Sequence, residues 1–217
     1  MMSFNNNKYT VLAALLATAL LSACGTSPET RFYTLATPAS AGAVQTDAAR
    51  NVAANTAGGQ TFIEVLPVSV PERLARPQIV VRADATKVDV LEQERWSSPF
   101  NNELRDALAA GVSSRLGAID VSRSGRPNDQ PSYRIAIELR DLDAARNGQV
   151  QAAFGWTITR SDDRKTAVCR MMVVEPVPGS GVDAVVAAMQ KAVGHAADAI
   201  ANNVRALQAG QTVKCAN

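Results

Sequence analysis

From Tyr133 to Ile158 the chain alternates apolar and polar residues, and that alternation restricts its architecture more than any other feature. Tyr133, Ile135, Ile137 and Leu139 are separated by Arg134, Ala136, Glu138 and Arg140. After a polar turn over Asp143 to Gly148, tipped by Asn147-Gly148, the pattern returns at Val150, Ala152, Phe154, Trp156 and Ile158. A period of two puts one set of side chains in a core and the other in water, and Asn-Gly is a favoured hairpin tip. Ser161-Asp162-Asp163 turns the chain once more, into Lys165 to Glu175. The spacing predicts a three-stranded antiparallel meander.

Two segments carry the helical period instead. Phe100, Leu104, Leu108, Val112 and Leu116 recur every fourth residue, with Ala107 and Gly111 on the same face and Gly117 as the stop. Ser97 or Ser98 is the expected cap, and Pro99 suits a first turn, where its missing N–H costs nothing. After the breakers Pro176, Pro178 and Gly179, an apolar stripe runs from Val182 through Met189 and Ile200 to Leu207. Ser180 with Asp183 reads as a capping box at its start. Earlier in the chain, Arg31–Leu35, Thr61–Leu66, Gln78–Arg82 and Lys87–Leu91 read as strands, the last two as a hairpin across Ala83–Thr86. Ile119–Ser122 is a short further strand. The order β-β-β-β-α-(β)-β-β-β-α predicts an α+β domain: a mostly antiparallel sheet with two amphipathic helices on one face.

The N-terminal stretch has a different job. Val11 to Leu21 is an uncharged run of eleven residues, too short for the ~20 needed to span a bilayer and suited to a signal-peptide core. It ends in Leu21-Ser22-Ala23-Cys24, the order of a bacterial lipobox. A thiol at Cys24 takes a diacylglyceryl group as a thioether, and small residues let a peptidase cut between Ala23 and Cys24. The rival reading is an ordinary signal peptide followed by a chance cysteine. Cleavage after residue 23 of 217 leaves a mature chain of 194 residues. Residues 1–23 are thus expected to be the signal, 24–29 the anchor and spacer, and 30–217 one domain. Within that domain 37–60 is almost wholly Ala, Gly, Thr, Asn and Ser, a flexible loop by composition. Gly25, where an Asp signals inner-membrane retention, favours by analogy the periplasmic face of the outer membrane.

Two cysteines remain. In an oxidising compartment Cys169 and Cys215 pair more often than they stay free; the other reading is a buried thiol at 169 and an idle one at 215. Charge says little: 22 Lys and Arg interleave with 20 Asp and Glu, with no block suited to nucleic acid. Catalytic sets are missing as well. The chain has one histidine, His195, amid small residues on the long helix, where a solvent-facing role fits. No Gly-x-Ser-x-Gly elbow occurs, no second His or Cys stands at ligand spacing to make a metal site, and Gly58-Gly59 lacks the partners of a phosphate loop. Asp141 and Asp143 read as solvated acids near a turn. The expectation is a non-enzyme without cofactor beyond covalent lipid.

Leu74-Ala75-Arg76-Pro77-Gln78-Ile79-Val80-Val81-Arg82, then Val88 to Leu91 and Glu94-Arg95-Trp96, resembles the PqiC-like family of ABC-type transport auxiliary lipoproteins. Phe32-Tyr33-Thr34-Leu35 and the Ala188-Met189 and Ala197–Ile200 stretches are similar to that family's two ends. A departure is Ser97-Ser98-Pro99-Phe100, where the family pattern has a small residue, an acid, Pro and Leu. The resemblance implies a non-catalytic component that docks or caps the periplasmic bridge of an MCE-domain phospholipid transport system, with an MCE protein and phospholipid as partners. A homo-oligomer stays open. Arg76, Arg82 and Trp96 stand as interface residues or as structural ones, the arginines pairing Glu92 or Glu94. The alternative function is an envelope lipoprotein that activates a cell-wall synthase or stabilises the envelope without transport.

Overall fold

The structure is a computed structural model, and it describes residues 28–37, 59–125 and 130–215. Ala23, Cys24 and most of the Ala/Gly-rich segment lie outside the described residues. Arg31–Asn217 form one compact unit, described below. In chain order its elements are β1 (Arg31–Tyr33), β2 (Phe62–Val65), β3 (Gln78–Arg82), β4 (Val88–Trp96), α1 (Phe100–Leu116), β5 (Ile119–Asp120), β6 (Ser132–Ala144), β7 (Gln149–Arg160), β8 (Thr166–Pro176) and α2 (Val182–Gln208).

The fold is α+β, with strands in two mixed sheets ordered β1-β4-β3 and β5-β2-β6-β7-β8. The hairpin β3–β4 and the meander β6–β7–β8 are antiparallel, as their short connections require. β1 instead lies parallel to β4, and β2 parallel to both β5 and β6. Those pairs are separated by long crossovers, which is the condition for parallel pairing. β4 runs on to Trp96, past a register shift between Gln78 and Ile79 on its partner.

Period-two burial holds along the meander. Ile135, Ile137, Leu139, Val150, Ala152, Phe154, Trp156 and Ile158 are all buried. Both helices cover that face: Phe100 and Leu104 of α1 meet Met189, Ala192 and Val193 of α2 over Leu139, Ala152 and Phe154. Burying each of these larger side chains stabilises the fold by about 1.5–3 kcal/mol before entropy is counted.

Neither helix is capped as expected. Pro99 occupies the N-cap of α1 with no side-chain cap, while Ser97 and Ser98 turn their hydroxyls to Glu103. α2 begins one residue after Gly181, which takes the cap position, so Ser180 falls outside it and no capping box forms. At the C-terminus of α1, Gly117 adopts φ 61°, the left-handed cap.

Gly111 sets the spacing between the helices. A Cβ there would stand 2.9 Å from the Cβ of Ala197, closer than carbon atoms pack. Gly111→Val is therefore expected to force α1 and α2 apart and to destabilise by about 1–3 kcal/mol. Thermal denaturation followed by far-UV dichroism checks it; an unchanged midpoint would mean the helices separate at no cost.

Candidate functional site

The meander has a second face that the helices leave open. β7 lies between β6 and β8, and from its middle to its end its outward positions carry small or modest side chains: Ala153, Gly155, Thr157 and Thr159. On β8 the outward positions hold Val168, Met172 and Val174, which are 70%, 65% and 48% exposed. Register sets Val168 beside Thr157, Arg170 beside Gly155 and Met172 beside Ala153. On the other flank, Glu138 stands beside Gly155. A Cβ at Gly155 would lie 3.6 Å from Arg140 Cδ and 3.8 Å from Glu138 Oε2, so both side chains lean over this glycine. The result is an open groove of about 730 Å³ along β7, with Leu66 and Pro67 also in its lining.

An antiparallel sheet with one wet face should be polar there. β6 obeys, with Arg134, Glu138 and Arg140 outward; β8 does not. Contiguous exposed apolar side chains mark contact surfaces, and these three are the residues that the sequence reading passed over. Their signal was present: apart from Arg170, Val168-Cys169-Arg170-Met171-Met172-Val173-Val174 is apolar at both parities, unlike the two strands before it.

One edge of this surface is fastened. Cys169 and Cys215 are joined by a disulfide, Cα atoms 5.3 Å apart. The buried Trp156 indole N–H donates to Asn203 Oδ1 at 2.9 Å, and the Asn203 amide donates to the Lys214 carbonyl at 3.2 Å. The C-terminal segment is thereby held against the outer edge of β8 beside Val168.

The arginines of the sequence reading are placed differently from expectation. Arg82 lies opposite Val88, at the far end of the hairpin from Glu92 and Glu94. It pairs with Asp143 of β6, while Glu94 takes Arg31 and Glu92 takes Gln78. Arg76 is exposed and forms no ion pair among the described residues. Trp96 is buried, its ring centroid 5.1 Å from that of Phe100. Asp141 is not merely solvated: it pairs with Arg73. His195 is exposed on α2, as a solvent-facing residue, and its Nε2 lies 2.9 Å from Glu175 Oε1 on β8.

Glu103 is the residue whose setting was least expected. It is 7% exposed, and its carboxylate accepts hydrogen bonds from the Thr34 hydroxyl (2.7 Å), the Leu35 N–H (3.0 Å) and the hydroxyls of Ser97 (2.6 Å) and Ser98 (2.9 Å). Burial pushes its carboxyl up, but the hydrogen bonds from Ser97, Thr34, Leu35 and Ser98 outweigh that and hold it below the ordinary range. The group is a clasp between the segment after β1 and the start of α1. Its charge on the Phe100–Leu104–Ala107 stripe was the available signal.

Among the described residues no cluster of three or more His, Cys, Asp or Glu side chains could hold a metal ion. No described helix is long and apolar enough to cross a membrane.

Comparison with known proteins fits this geometry. A crystal structure of an uncharacterised protein is similar to the chain, with TM-score 0.61 and 17% identity over 82% of this chain and 99% of that one. The crystal structure of protein XCC0632 from Xanthomonas campestris, of family DUF330, has TM-score 0.55 and 20% identity over 70% and 89% of the two chains. These likenesses show the fold. No curated protein matches the chain. The model of the family described as ABC-type transport auxiliary lipoprotein component matches residues 33–201. That family consists of transport components without catalytic machinery or known cofactor. By this match over most of its length, the chain belongs to the family of ABC-type transport auxiliary lipoprotein components.

Proposed function

We propose that the mature protein carries lipid on Cys24, sits at the periplasmic face of the outer membrane, and docks an MCE-domain protein of an intermembrane phospholipid transport system. It performs no chemistry of its own. The observation that carries this reading is the apolar strip Val168, Met172 and Val174 on the open sheet face of a family member whose relatives serve ABC transport. A strip of this kind loses unfavourable water contact when a partner covers it. The flanking Arg140, Arg170 and Glu138 supply polar groups at its border.

Two variants in cells test the two halves separately. Cys24→Ala is expected to move the protein from the membrane fraction to the soluble periplasm and to abolish its labelling by palmitate. Val168→Glu with Met172→Glu is expected to leave it in the outer membrane and to lose an MCE-domain protein from mild-detergent pull-downs. If the wild type recovers no MCE protein and instead crosslinks to cell-wall synthases, the transport reading is rejected in favour of envelope maintenance.

A further inference from the structure

Phe32 is 66% exposed on β1, while its neighbour Tyr33 packs against the core. Its ring therefore looks out from the three-stranded sheet. Parallel register sets Phe32 beside Arg95 of β4, and Gln78 of β3 stands across from Arg95 on the other side. Arg76 enters that strand two residues earlier. The carboxylates closest in register are engaged, Glu94 by Arg31 and Glu92 by Gln78. Arg95 Nε donates only to the backbone carbonyl of Glu92, and neither Arg95 nor Arg76 has an ion pair among the described residues. One exposed aromatic ring thus stands in register beside Arg95, and Arg76, just before β3 on the far side of β4, adds a second guanidinium without a carboxylate partner among the described residues.

The chain length before β1 decides what can cover this patch. Arg31 lies seven residues after Cys24, and a fully extended chain spans at most about 3.6 Å per residue, so the tether reaches no farther than about 25 Å. A domain of this length has a radius of gyration of about 16 Å, hence a diameter near ~40 Å. A tether shorter than the domain keeps the β1 end turned toward the surface in which the lipid is inserted. The bilayer is thus the one large partner always within reach of Phe32.

We infer that Phe32, Arg95 and Arg76 form a membrane-seating patch: the Phe32 ring enters the boundary between headgroups and acyl chains of the leaflet that holds the anchor, and the two arginines meet lipid phosphates. The inference rests on the reading of Cys24 as the lipid-bearing residue. Aromatic rings favour that boundary, and arginine stems can lie on apolar surface while their heads remain among phosphates. Acyl chains alone hold a protein to the membrane without fixing its orientation. This patch fixes it.

The test uses the mature lipidated protein in vesicles of phosphatidylethanolamine and phosphatidylglycerol, with and without bromine on the acyl chains near the headgroup. Phe32→Trp is the reporter, and Arg76→Trp replaces it if the first variant folds poorly. Trp96 and Trp156 are buried and supply a constant background. The expected result is a blue shift of the added tryptophan on incorporation and a loss of its intensity in brominated vesicles. If the protein floats with the vesicles but the added tryptophan neither shifts nor is quenched, the seating patch is overturned and the anchor stands. If the wild type carries no lipid and does not float, the anchoring reading fails and the patch falls with it.

Discussion

Replacing Cys169 and Cys215 together by Ala is expected to lower the stability of the folded domain by about 2–4 kcal/mol. The two residues are 46 apart, and closing such a loop removes unfolded-chain entropy worth about 4 kcal/mol, with measured values often smaller. The native side adds to the effect. Without the bridge, the end of the C-terminal segment keeps the hydrogen bond from the Asn203 amide of α2 to the Lys214 carbonyl and the packing of Val213 on the core, but no tie to β8 of comparable strength. β8 is the outer strand of its sheet, and a strand edge left uncovered offers backbone groups to other chains. The double variant should therefore also associate more readily when partly unfolded. Urea denaturation with and without reductant checks the first part: the wild-type midpoint falls on reduction to that of the variant, and the variant is indifferent. The denaturant slope should rise as well, because an uncrosslinked chain exposes more surface on unfolding. A wild-type midpoint unmoved by reductant would show that the bridge contributes nothing.

Which parts of this arrangement the chain advertises follows from the range of the interactions involved. The meander is legible because burial on one face imposes period two over three consecutive strands, and a slip by one residue would turn Ile135, Ile137 and Leu139 into water. α2 is legible for the same reason at period 3.6, since Val185, Met189, Ala196 and Ile200 all meet the core. The separation into two sheets is not local information. β1 joins β4 across more than sixty residues, and three residues of Arg-Phe-Tyr contain nothing that names a parallel partner. Capping failed as a guide because Ser97 and Ser98 turn their hydroxyls to donate to the Glu103 carboxylate and do not accept from the first-turn N–H groups of α1. A hydroxyl that donates to a buried carboxylate makes a charge-assisted hydrogen bond, stronger than a neutral cap. The ion pairs of Arg82 and Asp141 were hidden likewise: each depends on β3 and the Glu72–Leu74 turn lying against β6, which only the tertiary fold supplies. Of the open face, the apolar parity of β8 was readable, but the groove was not. It exists because Gly155 and Ala153 fall in register between long side chains on both neighbours.

Glu103→Ala is the other substitution with a large expected effect, about 2–4 kcal/mol. Its carboxylate is the shared acceptor of four donors from two chain segments. Removing it strands the buried Leu35 N–H, which costs about 1–3 kcal/mol, while the exposed Thr34 hydroxyl can turn to water. The serine hydroxyls can rotate to other acceptors and add less. The pH dependence gives the effect a signature that a simple packing defect lacks. The folded carboxyl is held below its ordinary value, so it binds its proton less readily folded than unfolded. Its contribution is complete above the unfolded value of about 4.3 and is lost as pH falls through the lower folded value. The stability gap between wild type and Glu103→Ala should therefore be widest near about pH 7 and narrow in acid, as urea denaturation at the two pH values will show. An equal gap at both would mean that shape, not charge, holds the segment. The consequence reaches function because Thr34 and Leu35 follow directly on β1, the strand nearest the proposed lipid. Any pull between membrane and transport partner would pass through that strand, and Glu103 is what ties the chain beyond it to α1.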